Sequence, residues 1–139
     1  FGARESRRIT GDHILTEENA VEGREFMDAV GRCGAYVDVH DEDGGVRPSY
    51  HREVGGAKGW YHVPYMVLLP RDVEGLLVAG RRVSSDHNAQ GSIRNQAGCM
   101  VTGHAAGVAA ALAAQEGTTP RNLNVEVLQT ALRNQAAVI

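Results

Sequence analysis

The chain has 139 residues, the length of one domain or of part of a larger protein. With 42% hydrophobic and 22% charged residues, its composition is that of a globular protein and excludes a disordered one. The formal charge of −3 comes from 14 basic and 17 acidic residues, so no basic face is expected and a nucleic-acid partner is disfavoured.

The two cysteines, Cys33 and Cys99, lie far apart in the sequence and form no CxxC pair. We therefore expect neither a disulfide framework nor a zinc site. The first residues carry several arginines and no apolar run, so they do not indicate a signal peptide. These observations predict a cytoplasmic location.

The first part of the chain predicts a strand followed by a helix. Residues 4–10 alternate as a strand does, and the charged run within them is expected to be structural rather than catalytic. Thr16 is a suitable helix cap, because acidic residues follow it in the first turn. A helix is then predicted over residues 25–32, with Gly34 past its end.

Two further segments predict strands. Residues 35–40, AYVDVH, alternate between apolar and polar side chains, and a turn over residues 41–45 and a loop or weak hairpin over residues 46–59 follow. Residues 60–69 place apolar side chains at every second position. Pro64 interrupts this run, which favours an edge strand or a bent one.

The last third predicts a buried strand and two helices. Residues 75–79 are a short continuous apolar run, which is typical of a strand covered on both faces. A helix is predicted from about Gly91 or Ala97 to Gln115, closed by Gly117. A final amphipathic helix is predicted over residues 125–135.

The alanine-rich segment, residues 97–114, raises the question of a membrane span. Gly103 and Gly107 have the GxxxG spacing of paired membrane helices. The segment also holds Thr102 and His104 and is built of alanine and glycine rather than leucine, so its transfer into lipid is unfavourable. We expect a helix packed against a sheet or a ligand, and no membrane contact.

The strand, turn and helix of residues 75–107 form the main candidate site. The start of a helix carries unpaired N–H groups and a partial positive charge, which bind phosphates and anionic oxygens. Arginines, hydroxyl groups and an amide in the preceding loop supply charge and hydrogen bonds; they are Arg81, Arg82, Arg94, Ser84, Ser85 and Asn88. Alternatively, the small residues of this helix merely permit tight helix–sheet packing. The segment is not a P-loop, because His104 stands where that motif needs lysine.

Two other kinds of site are disfavoured. The six histidines show neither an i, i+4 pair nor HExxH. The acidic cluster of Asp38, His40, Asp41 and Asp43 lacks the terminal glutamate of a calcium loop, so a solvated turn is favoured and no metal site is predicted. Ser84, Ser85, Asp86 and His87 are the residue types of a hydrolase triad, but no GxSxG elbow is present.

The longer motifs together resemble a known family. The segments GARESRRITGDHILT, AYVDVH, YHVPYMVLLP, GLLVAGRRVSSDHNAQGSIRNQAGCMVTGHAAGVAAAL and PRNLNVEVLQTALRNQAAVI occur in this order. They resemble the C-terminal part of bacterial FAD-dependent oxidoreductases, with a group labelled xanthan-lyase-like as the most similar. The resemblance runs from Gly2 to Ile139.

This resemblance implies an α/β fold, namely the C-terminal portion of a Rossmann-like, two-part flavoprotein. Residues 1–139 would form one C-terminal region, with substrate-side strands and a helix in residues 1–70 and the elements that complete the FAD site in residues 71–139. The N-terminal unit with GxGxxG, which binds the ADP half of FAD in the family, has no counterpart in these residues.

The resemblance also implies site residues. The turn after residues 75–79 would lie near the FAD phosphates or ribityl chain, and the helix beginning around residues 98–103 would direct its positive end at the pyrimidine edge of the flavin. The implied cofactor-binding residues are Ala79, Gly80, Arg81, Ser84, Arg94, Thr102, Gly103, Ala105 and Ala106. His104 replaces the glutamine that is usual in the family. The segments that resemble the substrate side contain Asp38, His40, Tyr61 and Tyr65.

Two functions follow as alternatives. The first is a part of an FAD-dependent oxidoreductase that completes the flavin site for hydride transfer from a small-molecule substrate of unknown identity. Its partners would be FAD and the missing ADP-binding half, and this chain alone is expected to be inactive. The second is a non-catalytic α/β fragment that binds no flavin alone and forms homo-oligomers through the unpaired edge of residues 75–79.

Overall fold

The computed structural model describes residues 5, 7–39 and 50–139. Helices and strands alternate irregularly along this part of the chain. In chain order they are α1 (Glu17–Glu22), β1 (Ala29–Cys33), β2 (Val37–Val39), β3 (Tyr50–Arg52), β4 (Tyr61–Pro64), α2 (His87–Ile93), α3 (Gln96–Glu116) and α4 (Val125–Asn134). Single turns of 3-10 helix lie at Gly56–Lys58, Tyr65–Leu68, Gly80–Arg82 and Pro120–Asn122.

Helix α1 begins where the sequence predicts and ends at Glu22, after six residues. The Thr16 side chain accepts a hydrogen bond from the amide of Asn19, and the Asn19 side chain accepts one from the amide of Thr16, so the predicted cap is confirmed. Gly23 then takes a left-handed conformation with φ of 69° and ends the helix.

The helix predicted over residues 25–32 is wrong, because residues 29–33 form β1 and residues 25–28 lead into it without helical structure. Strand β1 pairs antiparallel with β4, from Ala29 opposite Pro64 to Cys33 opposite Tyr61. A Cβ at Gly31 would lie 2.5 Å from Cγ1 of Val101 in α3. The spacing of Phe26, Ala29 and Val30 suits a helix, but the pairing with β4 and the close approach of α3 determine the structure.

A second antiparallel pair joins β2 and β3, with Val37 opposite Arg52. Strand β2 lies inside the strand predicted over residues 35–40, whose last residue, His40, lies outside the described residues, as do the turn predicted over residues 41–45 and part of the following loop. The strand predicted over residues 60–69 stops at Pro64 and continues as a 3-10 turn. The alternate apolar side chains of this run are all buried; they are Tyr61, Val63, Tyr65, Val67 and Leu69.

Residues 75–79 are not a buried strand, and that prediction is wrong. They run extended, and their backbone makes one described hydrogen bond to a neighbouring segment, from the amide of Val78 to the carbonyl oxygen of Leu68. Leu77 packs against the core, whereas Leu76 is 46% exposed. A buried strand of this kind needs protein packed against both of its faces, and the described residues cover only one face.

Of the two predicted beginnings of the long helix, Ala97 agrees with α3, which begins at Gln96. Gly91 instead lies in α2, which a break at Arg94 and Asn95 separates from α3. The predicted end is confirmed: Gly117 closes α3 with φ of 65°. The predicted final helix is also confirmed as α4, which buries Leu128 and Leu132.

The core lies between α3, α4 and the β1–β4 pair, and it contains Ala105 and Ala109 of α3. Alanine on this face lets α3 approach β1 closely. Within the described residues, α3 is the one helix long and apolar enough to cross a membrane by length and composition, a criterion that core helices of soluble proteins also meet. The mixture of helices and small antiparallel sheets fits the α/β class; the Rossmann-like part of the expectation stays a prediction.

Candidate functional site

An open cavity of about 520 Å³ lies at the beginning of α3. Its walls come from β2, from the turn after residues 75–79, and from the junction between α2 and α3. The lining residues are Asp38, Arg81, Arg94, Asn95, Gln96 and Ala97. Three of them, Asp38, Arg81 and Arg94, belong to the set predicted from the sequence.

The junction between the two helices presents backbone donors near this cavity. Asn95 precedes α3, but its side-chain amide donates to the carbonyl oxygens of Gly91 and Ser92, at 3.4 and 3.2 Å, and therefore caps the end of α2. The first turn of α3 receives no hydrogen bond from that side chain. The amides at this turn, at Gln96, Ala97 and Gly98, have no acceptor one turn back within the helix and point towards its N-terminal end.

The turn at Gly80 is fixed to the side of α3. Gly80 has φ of 71°, which favours glycine, and its amide donates to Oγ1 of Thr102 at 2.9 Å. Oγ1 of Thr102 donates in turn to the carbonyl oxygen of Gly98 at 2.8 Å. Ala79 precedes this turn and Arg81 follows it into the cavity wall. Thr102 therefore holds the predicted Ala79–Gly80–Arg81 segment next to the first turns of α3.

Two arginines and one carboxylate set the charge of the cavity. Arg94 donates through Nη2 to the backbone oxygen of Asp38 at 2.7 Å, and the same nitrogen lies 3.6 Å from Oδ2 of Asp38. The Arg94 side chain is only 10% exposed, so this pair joins β2 firmly to the end of α2. Arg81 is exposed on the other wall. Among the described lining residues, two cations and the first turn of α3 face one carboxylate.

Cys99 lies behind the Gly80 turn. Its sulfur is 3.8 Å from the position that a Cβ of Gly80 would take, and it donates to the carbonyl oxygen of Arg94 at 3.2 Å. Burial raises the pKa of the Cys99 thiol, although the positive charge of Arg81 acts in the opposite direction. The thiol is therefore protonated and acts as a packing group at neutral pH.

Three predicted residues of α3 lie away from the cavity lining. Gly103 is on the exposed face of the helix, where an added Cβ would meet nothing within 4 Å. Ala105 is fully buried in the core, and Ala106 packs against it. The helix also begins earlier than residues 98–103, so its positive end is at Gln96 rather than near Gly103.

Ser84 faces a different part of the molecule. It is fully buried, and it lines a smaller cavity of about 220 Å³ with Arg8, Ile9, Thr10, Ile14 and Ser85. Its amide donates to the carbonyl oxygen of Val67 at 3.0 Å. Among the described residues, its hydroxyl has no hydrogen-bond partner.

The two predicted substrate-side tyrosines lie in the core. The Tyr61 hydroxyl is 2.9 Å from Oγ of Ser92, and the Tyr65 hydroxyl donates to the carbonyl oxygen of Pro120 at 2.9 Å. Burial raises the pKa of Tyr65 to about 12 and that of Tyr61 well above its usual range. Since both hydroxyls have hydrogen-bond partners inside the protein, their contacts are those of core residues. His40, the remaining predicted residue, lies outside the described residues.

The disfavoured sites also have structural explanations. Asp86 accepts hydrogen bonds from the amides of Ala89 and Glu17, at 2.7 and 2.8 Å, so its carboxylate caps α2. His87 instead contacts Glu5, with Nδ1 2.8 Å from the carboxylate. In the described part of the chain, no three histidine, cysteine or acidic residues are grouped as metal ligands.

Sequence reasoning missed Asn95, Gln96 and Ala97 as cavity residues. The available signal was Asn95, since asparagine is a favoured residue before a helix and neither proline nor Asp, Glu, Lys or Arg follows it before Glu116. With Asn95 as the residue before the helix, the predicted start of the helix and its positive end lie at Gln96, beside the cavity.

Comparison with known proteins gives one match. The family model for FAD dependent oxidoreductase matches residues 1–132, which is nearly the whole chain. No curated protein matches the chain. No solved structure matches it. The match is to the family as a whole, and the narrower xanthan-lyase-like group stays a prediction.

Proposed function

The chain belongs to the FAD-dependent oxidoreductase family, and we propose that it completes the flavin site of such an enzyme at the cavity in front of α3. When bound, FAD supplies the capacity to accept a hydride from an organic substrate. The chain's own contribution is to bind and orient part of the cofactor. The substrate is a small molecule whose structure the site residues leave open.

One observation carries this proposal: the Gly80 turn, the first turn of α3 and two arginines meet around one open cavity. Gly80 allows the turn to take its positive φ of 71°, and Arg81 follows it in the cavity wall. Arg81 and Arg94 supply positive charge, and the helix start supplies N–H donors. This donor set fits the anionic phosphates and the carbonyl-bearing pyrimidine edge of a flavin nucleotide.

Each residue then has a distinct role. Arg81, exposed and next to Gly80, binds a phosphate or ring oxygen. Arg94 is held by Asp38 and shapes the wall on the β2 side. Thr102 binds no ligand itself in this proposal; it positions the Gly80 turn through its hydroxyl.

The ADP-binding part of the site lies outside these 139 residues in this proposal. The sequence contains no GxGxxG. Residues 75–79 are apolar and only partly covered, and Leu76 is exposed, so this segment is where a further sheet layer would pack. It follows that the chain alone binds flavin weakly and turns over no substrate.

Equilibrium dialysis against FMN and FAD tests the proposal with the chain as it is. FMN carries the ring, the ribityl chain and one phosphate, so it should bind about as well as FAD if the ADP-binding part is absent. Arg81→Ala should weaken binding of both about 10-fold, because one charge-assisted hydrogen bond is lost. Arg133→Ala, at an exposed arginine of α4, is the matched control and should change nothing.

A chain that retains neither flavin at about 1 mM ligand would contradict the proposal, since even a millimolar site would be half occupied there. Equal weakening by Arg81→Ala and Arg133→Ala would contradict the placement of the site, because it would indicate non-specific charge attraction.

The second candidate function, a self-associating fragment that binds no flavin alone, is supported by one observation. Val73 and Leu76 are 48% and 46% exposed in the partly covered segment before Gly80. Sedimentation at increasing protein concentration tests it. A stable dimer that Leu76→Lys dissociates, together with failure to bind flavin, would favour this alternative.

A further inference from the structure

We propose that His62 is an acid-sensitive latch: while its ring is neutral it holds Phe26, within the segment of residues 23–28, against β4, and it releases Phe26 when the ring is protonated. This segment connects α1 to β1. The inference does not depend on the flavin proposal, since none of the groups involved lines the cavity at α3.

His62 holds the segment at two points. Its amide donates to the carbonyl oxygen of Arg24 at 3.1 Å, and its ring Nδ1 accepts a hydrogen bond from the amide of Phe26 at 3.2 Å. Only the second contact depends on protonation, because a protonated Nδ1 has no lone pair to accept with. A proton there would place two donors face to face and break the contact with Phe26.

The neutral ring is already in a defined state. Since Nδ1 accepts, the neutral ring carries its proton on Nε2. Nε2 is buried and has no hydrogen-bond partner among the described residues. A charged imidazolium would therefore lose its Nδ1 contact without gaining a compensating one at Nε2.

Aromatic and charged side chains from the neighbouring elements surround the His62 ring. The Trp60 ring stacks on His62 with centroids 5.2 Å apart, and the guanidinium of Arg32 in β1 lies 3.9 Å from the Trp60 centroid. Lys58 approaches the same Trp60 ring, Glu25 pairs with Lys58, and Arg133 of α4 lines the same cavity as His62. On the far side of Phe26, the His13 ring lies edge-on at 5.1 Å.

The balance of these groups favours the neutral form. Burial lowers the pKa of His62 and the positive charge of Arg32 lowers it further, while Glu25 acts in the opposite direction. The midpoint therefore lies below the usual value of 6.5. The latch is closed at neutral pH and opens as the pH falls through the pKa of the folded protein.

Opening changes the cavity of about 340 Å³ beside the ring. Phe26 and Met27 form part of its wall, together with His62. The far end of the segment remains tied, because Nε2 of Gln129 donates to the carbonyl oxygens of Met27 and Ala29, each at 2.9 Å. Protonation therefore loosens the segment around Phe26 while its link to α4 persists.

Hydrogen exchange at the Phe26 amide tests the proposal in the full chain. Protection, corrected for the intrinsic pH dependence of exchange, should fall about 10-fold or more between about pH 7.5 and about pH 5. In His62→Asn, Oδ1 takes the place of Nδ1 as an acceptor that does not titrate, and protection should be retained at both pH values. His13→Asn removes the other nearby titratable ring and should behave as the unchanged chain does.

A second measurement covers the case in which a variant does not fold. In the unchanged chain, the ring signals of His62 and the amide signal of Phe26 should titrate with the same midpoint, below 6.5. Protection of Phe26 that is equal at both pH values, an equal acid loss in His62→Asn, or different midpoints for the ring and the amide would overturn the latch.

Discussion

The Tyr61 hydroxyl shows how single polar groups are accommodated in the core. Oγ of Ser92 donates to the carbonyl oxygen of Ala35, so the Tyr61 hydroxyl, 2.9 Å away, is the donor to Ser92. This chain of two hydrogen bonds joins β4 to α2 and to the backbone before β2. A buried tyrosine and serine are tolerated here because each has a partner.

Replacement of either residue should therefore destabilise the protein, and replacement of Ser92 should destabilise it more than replacement of Tyr61. Tyr61→Phe removes one hydrogen bond and leaves Ser92 bonded to Ala35, so a loss of about 1 kcal/mol is expected. Ser92→Ala leaves the buried Tyr61 hydroxyl with the thiol of Cys33, a weak hydrogen-bonding group, as its described partner, and should cost roughly 2–3 kcal/mol. Urea denaturation checks both values. A loss of flavin binding in Tyr61→Phe without a loss of stability would instead support the substrate-side role predicted for Tyr61.

For single residues, the sequence predicted which residue types form the site better than it predicted which way their side chains point. Arg81 and Arg94 were predicted together, and both line the cavity, Arg81 from the Gly80 turn and Arg94 from the junction before α3. Ser84 was predicted with them but lines another cavity. It lies in a loop, where no periodicity predicts which way a side chain points.

Helix α3 is the element on which the proposed site depends, and its glycines have opposite roles. At Gly98 an added Cβ would lie 2.1 Å from the carbonyl oxygen of Ile93, so this glycine permits the sharp junction between α2 and α3. At Gly103 an added Cβ would meet nothing within 4 Å. The same residue type is therefore required at one position and free at the other.

Alanine at the two positions should change stability in opposite directions. Gly98→Ala should destabilise the protein by about 2 kcal/mol or more, because backbone must move to relieve the overlap. Gly103→Ala should stabilise it by about 0.5–1 kcal/mol through helix propensity. Thermal unfolding of the two variants is the measurement. A stabilising Gly98→Ala would contradict the described junction, and weaker flavin binding by the stable Gly103→Ala would support the cofactor contact predicted for Gly103.

Element prediction succeeded where local signals decide the structure. The caps at Thr16 and Gly117 were identified correctly because a side-chain oxygen and a left-handed glycine act within a few residues. Strand β1 was missed because its pairing with β4 is a contact between distant parts of the chain. No local pattern in residues 25–32 reveals that partner.

At the scale of the whole molecule, Arg121 joins segments that are far apart in the sequence. Its guanidinium donates to the Asp12 carboxylate, to Oε1 of Glu74 at 2.5 Å and to the carbonyl oxygen of Pro70 at 2.6 Å. Its side chain is 25% exposed, so these contacts are partly shielded from water. The sequence gives no sign of this link, because its partners are set by the fold alone.

Loss of the Arg121 contacts should lower the stability of the whole fold. Arg121→Ala is expected to destabilise the protein by about 1–2 kcal/mol, since several charge-assisted hydrogen bonds are lost at a half-buried position. Glu25→Gln, which breaks the exposed pair with Lys58, is the comparison and should leave the unfolding free energy unchanged within error. Equal effects of the two substitutions in urea denaturation would contradict the joining role of Arg121.

The central claim is that a flavin nucleotide binds in front of α3, and the most direct measurement is a titration with FMN followed at assigned backbone amide signals. We expect saturable shifts confined to Gly80, Arg81 and the first turn of α3, at Gln96, Ala97 and Gly98. Saturable shifts at other sites with none at these five amides, or no shifts at any ligand concentration, would contradict it.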